Sequence, residues 1–109
     1  MHWAFRYYNW KTMKQYLVIA KDGKDDAALQ RRLNARKGHL AGAAALKANG
    51  NFVLGGAMLN KDGEMEGSVL VLQFGTETDF EAWYANEPYI VQGVWQEVEV
   101  KPFKVANFE

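Results

Sequence analysis

Residues 51–74 read "NFVLGGAMLNKDGEMEGSVLVLQF". Two apolar runs flank a polar segment, and Asp62-Gly63 inside that segment is a turn signal. The runs therefore read as two consecutive strands, the first interrupted or bulged at Gly55-Gly56. The second, "SVLVLQF", is apolar nearly throughout and lacks the alternation of a strand with one wet face.

Moving outward on the N-terminal side, residues from Asp25-Asp26 to about Ala48 form an alanine- and leucine-rich helix. Asp25 or Asp26 is placed to cap it, and Asn49-Gly50 closes it with Gly50 as the left-handed residue. At about 100° per residue, Leu29, Leu33, Leu40, Ala43 and Ala44 share one stripe. Arg36 falls within that stripe, and His39 lies at its edge beside Arg32. Before the helix, "QYLVIA" (15–20) is a β-branched apolar strand.

On the C-terminal side, "GTETDFEAWYANEPY" is a second helix. Thr76, Thr78 or Asp79 caps it, and Phe80, Trp83 and Tyr84 give its buried side. Pro88 breaks it or opens a further short turn. "VWQEVEVKPFKV" is a last strand of alternating character, and Pro102 marks it as an edge or a bulge. The order β-α-β-β-α-β predicts an α+β fold, a ferredoxin-like βαββαβ sandwich with both helices on one face of an antiparallel sheet. The strands at 15–20 and 68–74 are too apolar for the other face to meet water. Burying it against a second copy predicts a homodimer, a dimeric α+β barrel.

The chain has 109 residues, 49% of them hydrophobic and 24% charged, which fits one soluble globular domain. Thirteen basic residues balance thirteen acidic ones, so no positive field favours nucleic acid. With no cysteine, thiolate catalysis and cysteine-ligated metal are excluded, and a reducing, cytoplasmic setting fits. No apolar run approaches the roughly 18 residues of a membrane span. The opening "MHWAFRYYNWKT" has no apolar block followed by a small-residue cleavage site, so a secretory signal is not expected. Residues 1–13 are read as an aromatic extension, residues 14–106 as the domain and 107–109 as a tail. The extension is either a remnant of an upstream start or an arm packing its aromatics on the domain or a neighbouring subunit.

Arg36 and His39 stand three apart and point the same way from their helix. Alone, such an arginine lays its stem on apolar surface and such a histidine is an ordinary satisfied polar residue. Glu87, in "NEPY", sits where both helices approach the same sheet. A carboxylate within reach of His39 would fix its tautomer, the basis of many acid–base sites. Otherwise Glu87 is a solvated helix-end group. Ser68 follows Gly67 at the head of a strand, without the G-x-S-x-G context of a nucleophile. Gly55-Gly56 could let a ligand approach the backbone but is not a phosphate loop. Tyr89 and Trp95 are candidates to line an apolar pocket, although core packing is the favoured place for Trp95. Two histidines in total, one of them in the extension, make a multi-histidine metal site improbable, and no cofactor is expected.

Together "RKGHL", "LGGAM", "GSVLVLQF", "NEPYIVQGVW" and "EVEVKPFKV" resemble the YciI-like (YCII-related) family in order and spacing, over about residues 14–106. The resemblance implies a dimeric α+β barrel with a pocket built around a histidine and a carboxylate. On that pattern His39 is the acid–base residue and Glu87 its orienter, in place of the usual aspartate and one methylene longer. Arg36 matches the arginine, and Ser68 the serine that positions substrate or water. One related enzyme is a dehydrochlorinase of a chlorinated hydroxyquinol.

Two functional readings follow. The first is a small-molecule enzyme using His39 and Glu87 for elimination or hydrolysis, with Arg36, Ser68 and Tyr89 binding substrate. The second is a non-catalytic small-molecule-binding or interaction module. A third, a haem-linked or cofactor-free oxygenase, rests on analogy of fold alone.

Overall fold

A computed structural model describes residues 13–108. Strand β1 (Lys14–Asp22) leads into helix α1 (Ala28–Ala48), and strands β2 (Phe52–Leu59) and β3 (Met65–Phe74) follow as a hairpin. Helices α2 (Glu77–Asn86) and α3 (Pro88–Val91) precede strand β4 (Trp95–Phe103). All strand pairs are antiparallel, in the order β2-β3-β1-β4, which is the ferredoxin-like arrangement. β4 is an edge, as Pro102 requires, since proline donates nothing to a ladder.

Residues directly opposite in an antiparallel ladder share a face. Val18 faces Leu70, Ala20 faces Ser68 and Tyr16 faces Leu72. Val18, Ala20, Leu70 and Leu72 form one core with Ala35 of α1, Phe80 of α2, Tyr89 of α3 and Trp95. All three helices therefore cover one face of the sheet. The other face carries Leu17 beside Val71 and Ile19 beside Val69, flanked on β4 by Lys101 and Glu99.

The turns follow local chemistry. Asn60 Oδ1 accepts the backbone N–H of Asp62 and of Glu64, and Gly63 takes φ 80° to close the hairpin. Thr76 caps α2 by accepting the N–H of Asp79 at 3.1 Å. Gly50 turns left-handed after α1, at φ 78°.

Three expectations change. No side chain caps α1: its N-cap is Ala27, and Asp25 pairs instead with Arg31 at 2.7 Å. The irregularities in β2 lie between Phe52 and Leu54 and between Met58 and Leu59, while Gly55-Gly56 pair in register with Leu70 and Val69. Gly55 is needed for closeness rather than a bulge, because a Cβ there would stand 2.5 Å from Leu70 Cδ2.

The third change matters most. The buried side of α1 is Ala28, Arg32, Ala35 and His39, whereas Leu33 and Leu40 are 45% and 47% exposed. On a helix advancing about 100° per residue, that line lies roughly a quarter-turn from the leucine stripe. Arg36 falls on the exposed side. Small alanines let the helix approach the sheet, and Arg32 meets acceptors on it, which outweighs burying two leucines. The aromatic extension lies outside the described residues, apart from Met13. Among the described residues, no helix is long and apolar enough to cross a membrane.

Candidate functional site

The site lies where α1 crosses β2 and β3. The sheet row beneath it is short: Ala57, Ser68 and Ala20 stand side by side, and Gly55 adjoins. Small residues there leave a cavity of about 160 Å³ roofed by Arg32, Arg36, His39 and Ala43.

Glu87 ends α2 and begins α3. Its side-chain Oε1 accepts the N–H of Tyr89 at 3.0 Å, capping α3, with Pro88 at the first helical position. The same oxygen stands 2.5 Å from His39 Nδ1. Both side chains are buried, at 9% and 3% exposure. An ionised carboxylate can only accept, so this pairing puts a proton on Nδ1 and leaves Nε2 as the nitrogen for the cavity. The imidazole is held flat on Tyr89, with ring centroids 3.9 Å apart and planes within 9°, and Trp95 meets it edge-on at 5.8 Å. The extra methylene of a glutamate, relative to aspartate, thus spans from the cap position to the imidazole.

A second network adjoins the first. Arg32 Nη1 donates to both carboxylate oxygens of Asp22, at 2.9 and 3.0 Å, and Nη2 donates to Ser68 Oγ at 2.9 Å. Trp95 Nε1 donates to the same Oγ at 3.2 Å. The guanidinium carbon lies 4.8 Å from the Tyr89 ring centre. Burial pushes the Asp22 carboxyl above its ordinary range, opposed by the hydrogen bond and charge of Arg32. Burial likewise raises the Tyr89 phenol, opposed by the nearby charges of Arg32 and Arg36.

Of the residues expected from sequence, His39, Glu87, Ser68 and Tyr89 converge. Arg36 lines the cavity but is exposed. The buried arginine is Arg32, and sequence reasoning did not reach it or Asp22 as site groups; Trp95, weighed as pocket wall or core, packs in the core and reaches Ser68 through its indole N–H. The spacing held a signal: Arg32 and His39 are seven apart, two helical turns along one face. Among the described residues, no cluster of three or more His, Asp or Glu side chains could hold a metal. A larger groove of about 720 Å³ runs between the β1–α1 turn and the β2–β3 hairpin. It contains no histidine, and it meets the cavity only through the shared wall of Met65.

Residues 14–104 match the YCII-related domain, and the chain belongs to that family. Protein YciI of Escherichia coli O6:H1 is 33% identical over 95 residues, covering 82% of this chain and 95% of its own. An uncharacterized protein of Haemophilus influenzae matches at the same identity and coverage. Among solved structures, 5-chloro-2-hydroxyhydroquinone dehydrochlorinase (TftG) of Burkholderia phenoliruptrix, in complex with 2,5-dihydroxybenzoquinone, is 26% identical. It aligns with a TM-score of 0.71, over 84% of this chain and 95% of that one. A dimeric ferredoxin-like protein from Jannaschia, at 13% identity and TM-score 0.53, shares the fold.

Proposed function

We propose that the chain is a small-molecule enzyme in which His39 moves a proton through Nε2 and Glu87 fixes its tautomer and orientation. The observation that carries this reading is the 2.5 Å His39–Glu87 contact on the wall of a 160 Å³ cavity. An engineered cavity of about 150 Å³ takes up benzene, so this one suits a single six-membered ring. Elimination from a hydroxylated, halogenated ring is the favoured reaction. From the keto tautomer of such a ring, the base takes the proton of a ring hydroxyl, and the O–H pair becomes the π bond of a carbonyl. A ring π pair shifts to the halogen-bearing carbon, and the carbon–halogen pair leaves with halide, giving a quinone. That TftG is a dehydrochlorinase with a dihydroxybenzoquinone bound supports the class of compound. Ser68, Arg36 and Tyr89 are the substrate-binding residues.

The proposal includes a homodimer formed through the sheet face away from the helices, where half-buried Leu17, Ile19 and Val69 adjoin the buried Val71. Dimeric ferredoxin-like neighbours support it. The cytoplasm, a reducing compartment, suits a chain without cysteine.

Chloride release from 5-chloro-2-hydroxyhydroquinone, measured with wild type and His39→Ala, tests the enzyme reading. Release that the variant lacks is expected. Equal ligand binding by both proteins with no turnover by either would favour a binding module instead.

A further inference from the structure

We propose that Met65 is the partition that limits the cavity to a single ring, which makes it the residue that sets the size of the ligand. This rests on the reading of the cavity as a ligand site, and it assigns the limit to one side chain on the hairpin.

Met65 reaches the cavity through an irregularity in the β2–β3 ladder. Side chains alternate between the two faces along a strand. Counting back from Ser68, which faces the helices, alternation would point Met65 away from them. Across the hairpin, however, Met58 pairs with Gly67 and Leu59 pairs with Met65. At that step β3 carries one residue more than β2, Glu66. An extra residue of this kind is a bulge, and it re-aims the side chain beyond it. Met65 is thereby turned onto the face of Ser68, and it lines the cavity together with Ser68, Arg32 and His39.

On the far side of Met65 lies the groove of about 720 Å³. Met65 is the one residue among the described residues that lines both spaces. The Asp22–Arg32 ion pair shares the wall with it, Asp22 on the groove and Arg32 on the cavity. The two parts of this wall differ in how readily they yield. The ion pair is buried and bidentate, and parting it would strand a buried charge. Met65 is half-buried, and its unbranched thioether turns about three bonds. A single ring leaves it in place, whereas a ligand with a second ring in line must push it aside to enter the groove. Selection of this kind is graded, since an apolar pocket discriminates by about 10–200-fold for one methylene.

The test uses the full chain carrying ¹³C in its methionine methyl groups, titrated with phenol and with 4-phenylphenol. The Met65 and Met58 signals are assigned by their loss in Met65→Leu and Met58→Leu. In the wild type, phenol is expected to move the Met65 signal and not that of Met58, which lines the groove and not the cavity. Met65→Ala is expected to bind 4-phenylphenol at least about tenfold more tightly than the wild type does. The Met58 signal should then move as the second ring enters the groove. The wild-type Met65 signal carries the test should Met65→Ala fail to fold, and phenol that binds without moving it would overturn the partition. So would a 4-phenylphenol affinity that Met65→Ala leaves unchanged, or binding in that variant with the Met58 signal still, which would put the second ring at the mouth beside Arg36. In each of these cases bound phenol would leave the cavity standing as a ligand site. Binding of neither compound would remove the ligand site and the partition together.

Discussion

Oε1 of Glu87 serves His39 Nδ1 at 2.5 Å and the backbone N–H of Tyr89 at 3.0 Å. The cap that starts α3 and the support that orients the imidazole are therefore one oxygen. Folding of the short helix sets the geometry of the proposed acid–base group, and Tyr89, the residue whose N–H is capped, supplies the ring on which the imidazole rests.

Glu87→Gln should separate these two roles. Its amide oxygen still accepts the Tyr89 N–H, so the melting temperature should stay near wild type. The charge-assisted hydrogen bond to His39 is lost. A low-field proton resonance from His39 Nδ1–H is expected in the wild type and not in the variant, with turnover lower by about 10²–10⁴-fold. Unchanged turnover in Glu87→Gln would remove Glu87 from the mechanism.

The pattern of β, α, β, β, α, β was legible because each element carries its own local signal. The Asp62-Gly63 turn, the Asn49-Gly50 stop and the Thr76 cap all depend on neighbours in sequence. The rotation of α1 was not legible in the same way. Counting apolar residues selects Leu33 and Leu40, yet the helix turns Arg32 and His39 inward, toward acceptors on β1, β3 and the start of α3. Those partners are 10, 36 and 48 residues away, beyond any periodicity. Spacing and residue chemistry raised Arg36, His39, Glu87 and Ser68 and family resemblance gave them roles, yet the arginine that the fold buries is Arg32.

The Asp22–Arg32 pair should show strong coupling. Both side chains are 3% exposed, so removing one partner strands a buried charge, at a cost of about 3–5 kcal/mol. Arg32→Met and Asp22→Asn are each expected to destabilise the protein in urea unfolding. The double variant should be less destabilised than the sum of the two. Strict additivity would mean that the pair contributes nothing beyond its separate parts.

Alkaline pH should weaken the fold through buried Tyr89 and half-buried Tyr16. Tyr89 is raised by burial, and Tyr16 by burial and then by Glu77 and Glu81. In the unfolded chain a tyrosine ionises near pH 10, while the folded side chain keeps its proton to higher pH. The associated stability is fully present below about pH 10 and is lost as pH rises through the raised folded values. Thermal melts between pH 8 and 11.5 should show this decline, and Tyr89→Phe should flatten it. An identical decline in the variant would assign it to other groups.

The open sheet face should govern oligomeric state. Ile19 and Val69 are paired across β1 and β3, with Leu17 and Val71 in the next row but one. On β4, Glu99 stands directly opposite Ile19. A lysine at position 19 could therefore pair with Glu99 on an exposed sheet, which makes Ile19→Lys tolerable in a monomer. Against a second sheet the same charge would be buried at the centre of an apolar contact, where it is costly. Sedimentation equilibrium should give twice the chain mass for the wild type and one chain mass for Ile19→Lys, with the same far-ultraviolet circular dichroism. His39 and Glu87 lie under the helices on the opposite face, so chloride release from 5-chloro-2-hydroxyhydroquinone should survive the change if the cavity is complete within one chain. A wild-type protein that sediments as a monomer would refute the dimer. Loss of chloride release in a folded Ile19→Lys monomer would instead mean that the partner copy shapes the cavity.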